Sequence, residues 1–135
     1  MLTGSHTGDL RWEPLCEPSV GGWVTSLAVS PHDPMTVLVG GDILGIGLSL
    51  DGGETWQGTF GLRCWEIGDF TWHPRDPNIV WAGTMGGPYV SRDGGRTWTS
   101  SRAGLPAVNG GTYSAPIQRV CFDPNNPGRL LAFGE

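Results

Sequence analysis

The octapeptide from Ser49 to Trp56 reads SLDGGETW, and its pattern returns 42 residues later as SRDGGRTW, from Ser91 to Trp98. Asp-Gly-Gly between two extended segments is typical of a hairpin turn, because the Asp side chain bonds turn amides and glycine adopts positive φ. The Ser and Thr hydroxyls supply further turn hydrogen bonds, and the Trp is a large apolar anchor. This chemistry predicts that Asp51 and Asp93 hold turns together rather than act as catalytic carboxylates.

A second motif occurs three times and sets the length of the repeat. It ends at Pro34, Pro77 and Pro127, so successive copies lie 43 and 50 residues apart. Each copy has the alternation of a β-strand, then a proline-containing turn that ends the strand, then a second apolar run. The apolar pairs predicted to share one face of a strand are Leu27 with Val29, Phe70 with Trp72, and Val120 with Phe122. With the octapeptide hairpin added, each repeat is predicted to form a four-stranded antiparallel sheet.

The octapeptide resembles the Asp-box pattern S-x-D-x-G-x-T-W of the BNR/Asp-box β-propeller proteins, whose members include the sialidases. The resemblance implies an all-β chain that forms part of a propeller, with structural roles for the residues of both boxes: Ser49, Asp51, Gly53, Thr55, Trp56, Ser91, Asp93, Gly95, Thr97 and Trp98. A sialidase also needs three arginines around the sugar carboxylate, and the arginines here match no such set. The Asp-box pattern therefore indicates the fold and leaves the activity open.

The repeats predict one partial propeller domain over residues 1–135. Residues 1–21 are expected to end one blade, since residues 5–12 read SHTGDLRW, a degenerate copy of the octapeptide. Full blades are predicted at 22–60 and 66–101, and the first two strands of a further blade at 117–135. Propellers close with about four to eight blades, so the remaining blades are expected from the same longer chain or from a second copy of it.

Composition argues against several kinds of partner. The net charge is −5, and all eight basic residues are scattered arginines, so nucleic acid is not an expected partner. No apolar run approaches 18 residues, which predicts no membrane span, and the first ten residues lack the features of a signal peptide. The three cysteines and three histidines show no metal-ligand spacing, and Cys121 is expected to be a small buried strand residue. No metal or cofactor is predicted.

The order of the strands predicts where a ligand site lies. The proline turns and the octapeptide turns fall at one end of each sheet, while the loops after the second strands and between blades fall at the other. Asp42, Met85 and Glu135 are equivalent positions after the second strands. The loops between blades bring Arg63, Trp65 and Glu66, and then the run 102–116 with Asn109 and Tyr113. These residues are predicted to form the ligand-binding end, with Trp65 and Tyr113 either stacking on sugar faces or filling the core.

A narrower resemblance concerns the run VLVGGDILGIGLSLDGGETW, which is similar to the first blade of family 74 glycoside hydrolases, the xyloglucan-active β-glucanases. In that family an Asp-Ile-Gly-Gly segment carries a catalytic aspartate. Asp42 and Ile43 match its first two positions, Leu44 departs from the first glycine, and Gly45 keeps the second. The resemblance implies that Asp42 is one of two carboxylates of an inverting hydrolase, the second coming from another propeller. The alternative for Asp42 is a polar loop residue near the channel.

The functional hypothesis that follows is a segment of a carbohydrate-active propeller, expected to be extracellular or periplasmic in the full-length protein and to act on β-glucan-type polysaccharide. The alternative is a non-catalytic propeller for binding or assembly, since sortilin-type receptors and photosystem II assembly factors share the same boxes.

Overall fold

The computed structural model describes residues 2–4, 12–14, 22–43 and 45–134, and over these ranges the chain is all-β apart from one 3₁₀ turn. The strands are β1 Leu2–Gly4, β2 Trp12–Pro14, β3 Val24–Val29, β4 Val37–Gly41, β5 Ile46–Ser49, β6 Gln57–Gly58, β7 Ile67–Trp72, β8 Val80–Thr84, β9 Tyr89–Ser91, β10 Thr99–Ser100, β11 Ala107–Val108, β12 Tyr113–Ser114, β13 Ile117–Asp123 and β14 Asn126–Gly134. The 3₁₀ turn is Asn109–Gly111.

Two four-stranded antiparallel sheets follow one another along the chain, β3-β4-β5-β6 and then β7-β8-β9-β10. Two-stranded sheets precede and follow them, β1-β2 and β13-β14, and a small β11-β12 hairpin lies between the second and last sheets. Each first strand has a register shift near its start, at Val24/Ser26, Ile67/Asp69 and Ile117/Arg119. The repeated irregularity shows that the three sheets are copies of one unit. The predicted fold class, two full and two partial blades of a propeller, is confirmed.

Neighbouring sheets touch through their first strands, as blades around an axis do. The Thr25 hydroxyl of β3 donates to the Ile67 carbonyl of β7 at 2.6 Å. An added Cβ at Gly68 of β7 would overlap the Gln118 carbonyl oxygen of β13. The close approach of β7 and β13 therefore requires a glycine at position 68.

The proline turns and the Asp-Gly-Gly turns lie at the same end of each sheet. Gly52 N–H donates to the Met35 carbonyl at 2.8 Å, and Gly94 N–H donates to the Asn78 carbonyl at 2.9 Å. Since each bond joins a turn after a first strand to a turn after a third strand, the loops after the second strands must lie at the opposite end of the blade.

Both Asp-Gly-Gly turns have the same hydrogen bonds. Ser49 and Ser91 donate through Oγ to the Asp two residues ahead at 2.7 Å, and the same Oγ accepts from the second glycine N–H at 2.8 Å. Asp51 and Asp93 accept from the backbone N–H and the hydroxyl of the Thr four residues ahead. The glycines have φ between +72° and +99°, and a residue with a side chain would adopt these angles only with backbone strain. The two carboxylates are thus used within their turns.

The core lies between the two four-stranded sheets. It contains Leu38 from the first sheet and Phe70 from the second, and Trp98 closes it with 3% of its surface exposed. Trp98 donates through Nε1 to the Gly95 carbonyl at 3.0 Å, and its ring lies 6.1 Å from that of Phe70. Trp56 makes the matching bond to Gly53 but is only partly buried, because it belongs to the first sheet rather than to the junction.

The first strand of the first four-stranded sheet exposes apolar side chains whose counterparts in the second sheet are buried. Leu27 and Val29 are 51% and 49% exposed, whereas Phe70 and Trp72 are buried. Ala28 packs against the core, so alternation turns Leu27 and Val29 away from the second sheet.

The prediction that Cys121 is buried is wrong. Its neighbour Val120 points into the protein, so Cys121 is exposed on the outer face of β13. Of the described cysteines, Cys64 is the buried one.

The described part of the chain contains no membrane-spanning helix.

The Asp-Gly-Gly turns predict a dependence of stability on acid. Hydrogen bonds from Thr55 and then Ser49 lower the pKa of Asp51 to about 2, and for Asp93 burial acts to raise the pKa but the bonds from Thr97 and Ser91 outweigh it. A carboxylate whose folded pKa is depressed stabilises the fold above its unfolded pKa, and this stability is lost as the pH falls toward the folded pKa. For Asp51 that window runs from the ordinary value of 3.8 down to about 2.

Replacing Thr55 by Val removes the hydroxyl donor and is expected to raise the pKa of Asp51, which moves the acid loss of stability to higher pH. Thr55→Ser keeps a hydroxyl and serves as the matched control. The melting temperature measured in small pH steps, with the Asp51 carboxyl carbon followed by NMR, checks this. Identical pH profiles for the Val and Ser variants would contradict the assigned role of the hydroxyl.

Candidate functional site

Asp42 follows β4 at the end of the blade opposite the Asp-Gly-Gly turns. Its N–H donates to the Trp23 carbonyl at 3.1 Å, and its Oδ1 accepts from Trp23 N–H at 2.8 Å. In the second blade Met85 N–H donates to the Glu66 carbonyl at 3.2 Å, the same bond as the first of these. Asp42 and Met85 therefore occupy equivalent positions, as do Trp23 and Glu66.

The Asp42 carboxylate lies against the chain before β3. Gly22 has φ +63°, and an added Cβ there would overlap Asp42 Oδ1. Only glycine lets the backbone come this close to the carboxylate. Asp42 is partly buried, and no described residue bonds its Oδ2. One oxygen thus orients the group, and within the described residues the other accepts no hydrogen bond.

Beside Asp42 lies a cleft of about 310 Å³, here called the Ile43 cleft. The loop after β4 forms one wall and the linker between the blades forms the other. Ile43 and Trp65 are 57% and 56% exposed, so an apolar surface faces the solvent on both sides. Trp65 is therefore not a core residue. The lining residues are Ile43, Gly45, Ile46, Thr59, Leu62, Arg63, Cys64 and Trp65.

A second and smaller hollow of about 160 Å³, the Tyr113 groove, shares Trp65 with the first. Tyr113 approaches its floor because Gly86 has no side chain: an added Cβ there would lie 2.9 Å from the Tyr113 ring. The Tyr113 hydroxyl donates to the Arg63 carbonyl at 3.4 Å, which ties the long loop to the linker. The lining residues are Cys64, Trp65, Met85, Gly86, Val108, Asn109 and Tyr113.

A third hollow of about 420 Å³, the arginine cleft, lies where the long loop passes the outer strand of the second blade. Arg102 donates through Nη1 to the Thr112 carbonyl, so the side chain spans the base of the long loop. The Tyr89 side chain forms a buried wall. The lining residues are Gly61, Arg63, Tyr89, Trp98, Thr99, Ser100, Arg102, Thr112 and Tyr113.

The structure brings most of the predicted site residues to these hollows. Arg63 lines the Ile43 and arginine clefts, Trp65 lines the Ile43 cleft and the Tyr113 groove, and Asn109 and Tyr113 line the groove. Asp42 and Glu66 line none of the three, although Ile43 directly follows Asp42. Over the described residues no three His, Cys, Asp or Glu side chains cluster as metal ligands would. Glu135 lies outside the described residues, as does Leu44.

Sequence reasoning did not find Cys64 and Tyr89. Both are buried and contribute walls rather than exposed polar groups. Cys64 lies between Arg63 and Trp65 in the sequence, and this position between two predicted site residues is a signal that indicates it. Tyr89 begins β9 and gave no signal, because an aromatic residue there is equally expected of a core strand.

No protein-family model and no curated protein matches the sequence. Solved structures do match in fold. An ancestral enzyme of glycoside hydrolase family 74 is 26% identical, with a TM-score of 0.70 over 91% of this chain. The family 74 xyloglucanase of Xanthomonas campestris is 22% identical, with a TM-score of 0.59 over 80%. The family 74 enzyme of Niastella koreensis is 21% identical, with a TM-score of 0.56 over 76%.

This chain spans 15%, 19% and 17% of the lengths of those three proteins. The described strands and the three structural likenesses agree: the chain has the fold of a segment of a family 74-like propeller.

Proposed function

We propose that the chain is a segment of a carbohydrate-active Asp-box propeller that acts on β-glucan-type polysaccharide at the end carrying Asp42. The observation that carries the proposal is the exposed Trp65 indole between the Ile43 cleft and the Tyr113 groove. The likeness to family 74 enzymes, one of them a xyloglucanase, supports polysaccharide as the ligand.

The two hollows suit a sugar chain because they combine aromatic faces with polar groups. The Trp65 ring and the partly buried Tyr113 ring offer flat apolar surfaces, and Asn109 and Arg63 offer donors and acceptors at the rims. A sugar ring presents an apolar face and a rim of hydroxyls, which is the complementary arrangement.

Asp42 is the proposed catalytic carboxylate. Its Oδ1 is held by Trp23 N–H, and its Oδ2 is left free by the described residues to act as the base that activates water. Inverting hydrolysis needs a second carboxyl roughly 6.5–9.5 Å from the first, so that water fits between base and sugar. Further blades are proposed to supply that acid.

Asp42→Asn is the sharpest variant, because the amide oxygen still accepts from Trp23 N–H while the base is lost. Hydrolysis of β-glucan oligosaccharides by the full-length protein is expected to fall by about 10²- to 10⁴-fold, with the melting temperature unchanged. Undiminished hydrolysis by Asp42→Asn would remove Asp42 from the mechanism.

Trp65→Ala is expected to weaken oligosaccharide binding. Phe60→Ala, which replaces an exposed aromatic residue outside the three hollows, is its control.

The second candidate is a non-catalytic propeller used for binding or assembly. It is favoured by the Asp42–Trp23 hydrogen bond, which gives the carboxylate a structural task with no chemistry. Binding of oligosaccharide without hydrolysis by the wild-type protein would select this candidate.

Completion of the propeller is part of the same proposal. The outer face of β3 exposes Leu27 and Val29, and the last sheet exposes Leu131 and Phe133, which are 45% and 68% accessible. We propose that further blades cover these faces in an extracellular or periplasmic protein, supplied by the same longer chain or by a second copy. Sedimentation of the 135-residue chain distinguishes the sources, since a stable monomer excludes the second copy.

A further inference from the structure

The arginine cleft holds two positive charges that the described residues leave uncompensated. The ion pairs within the described ranges are Arg119 with Asp69 at 4.0 Å and Arg129 with Asp123 at 3.5 Å. Arg63 and Arg102 belong to neither pair, although the whole chain carries a net charge of −5. An acidic protein that brings two such guanidinium groups to one concave site has a local field suited to an anion there.

The side chains around these charges are held in place. Arg102 is tied to the Thr112 carbonyl, and the Arg63 backbone accepts from the Tyr113 hydroxyl at 3.4 Å. Burial raises the pKa of Tyr89, so its hydroxyl is protonated at neutral pH and adds no negative charge. The cleft therefore presents cationic and neutral groups together, and among the described residues the Thr112 carbonyl alone accepts from these two guanidinium groups.

The arginine cleft shares lining residues with the proposed sugar surface. Tyr113 lines both the arginine cleft and the Tyr113 groove, and Arg63 lines both the arginine cleft and the Ile43 cleft. A sugar chain that stacks on Trp65 and extends past Tyr113 would therefore run toward the residues of the arginine cleft.

We infer that the arginine cleft binds the carboxylate of an acidic sugar, so that the polysaccharide recognised by this propeller carries uronic acid units. A guanidinium group donates two parallel hydrogen bonds to a carboxylate, which gives both energy and orientation. The inference rests on the proposed function and names the substrate class more narrowly than the fold does.

The experiment compares one oligosaccharide with and without its charge. Binding of a β-linked oligoglucuronate and of its methyl ester to the full chain is measured by calorimetry at low salt. The acid is expected to bind about tenfold or more tightly than the ester, and added salt to weaken only the acid. Arg102→Gln is expected to weaken acid binding by about 10- to 100-fold and to leave ester binding unchanged. Arg63→Gln is expected to weaken acid binding more than ester binding, because Arg63 also lines the Ile43 cleft.

Two control variants sharpen the result. Arg63→Lys keeps the charge but cannot donate the bidentate pair of hydrogen bonds, so its loss of acid-binding affinity is expected to lie between wild type and Arg63→Gln. Arg75→Gln removes an exposed arginine at the proline-turn end, and acid binding should not change. Calorimetry of acetate alone tests for a bare anion site: acetate binding as tightly as the acid would overturn the sugar assignment.

The failures of the two proposals are distinguishable. Equal affinity for acid and ester, with binding still dependent on Trp65, would overturn the acidic-sugar inference and leave the proposed function standing. Absence of binding by the acid, the ester and a neutral β-glucan oligosaccharide would overturn both.

Discussion

Replacing Trp98 by alanine is expected to lower the free energy of unfolding by about 3–5 kcal/mol. The side chain is 3% exposed and fills the junction between the two full blades beside Phe70. Its removal leaves a cavity there and also leaves the Gly95 carbonyl without the indole donor. Chemical denaturation followed by circular dichroism measures the loss.

Trp56→Ala is the matched control, since Trp56 makes the same Nε1 bond to its own turn but is only partly buried. Its loss should be clearly smaller, because less surface is buried and no blade junction is opened. Equal losses at the two positions would contradict the placement of the core between the sheets.

Gly68→Ala is expected to separate the last sheet from the second blade and to lower the free energy of unfolding by about 1–3 kcal/mol. The new Cβ would overlap the Gln118 carbonyl oxygen and lie 3.0 Å from the Gln118 Cα, and these backbone atoms cannot rotate away as a side chain can. Hydrogen exchange of the β13 and β14 amides is expected to accelerate more than exchange in β4.

Gly58→Ala is the control for this change. Gly58 also lies in a strand with ordinary φ, and nothing lies within 4 Å of its added Cβ, so an effect within about 0.5 kcal/mol is expected. Uniform acceleration of exchange over both sheets in Gly68→Ala would show that β7 and β13 do not form a separable junction.

Local chemistry made most of the fold predictable. The Asp-Gly-Gly and proline turns are specified by residues within a few positions of one another, so their periodic return marks the sheets before any contact is known. Burial was less predictable, because Leu27 and Phe70 have the same place in their repeats but different neighbours in space. Cys121 is exposed for a related reason, since burial of a strand residue depends on which sheet packs against its face.

The candidate site is likewise only partly predictable from the sequence. Asp42, Trp65 and Tyr113 follow from strand order, which sends their loops to one end of the blades. The arginine cleft does not follow, because it forms only when the 102–116 run folds back over the second blade and places Arg102 and Tyr89 around one space. No spacing in the sequence indicates that this loop folds back over the second blade.

The position of the bound sugar is measured by titration of the tryptophan indole N–H signals in NMR spectra. A β-glucan-type oligosaccharide is expected to shift the Trp65 signal and to leave the signal of Trp56, at the other end of the blades, unmoved. A shift at Trp56 with an unchanged Trp65 signal would place the ligand at the Asp-Gly-Gly end and contradict the proposed site.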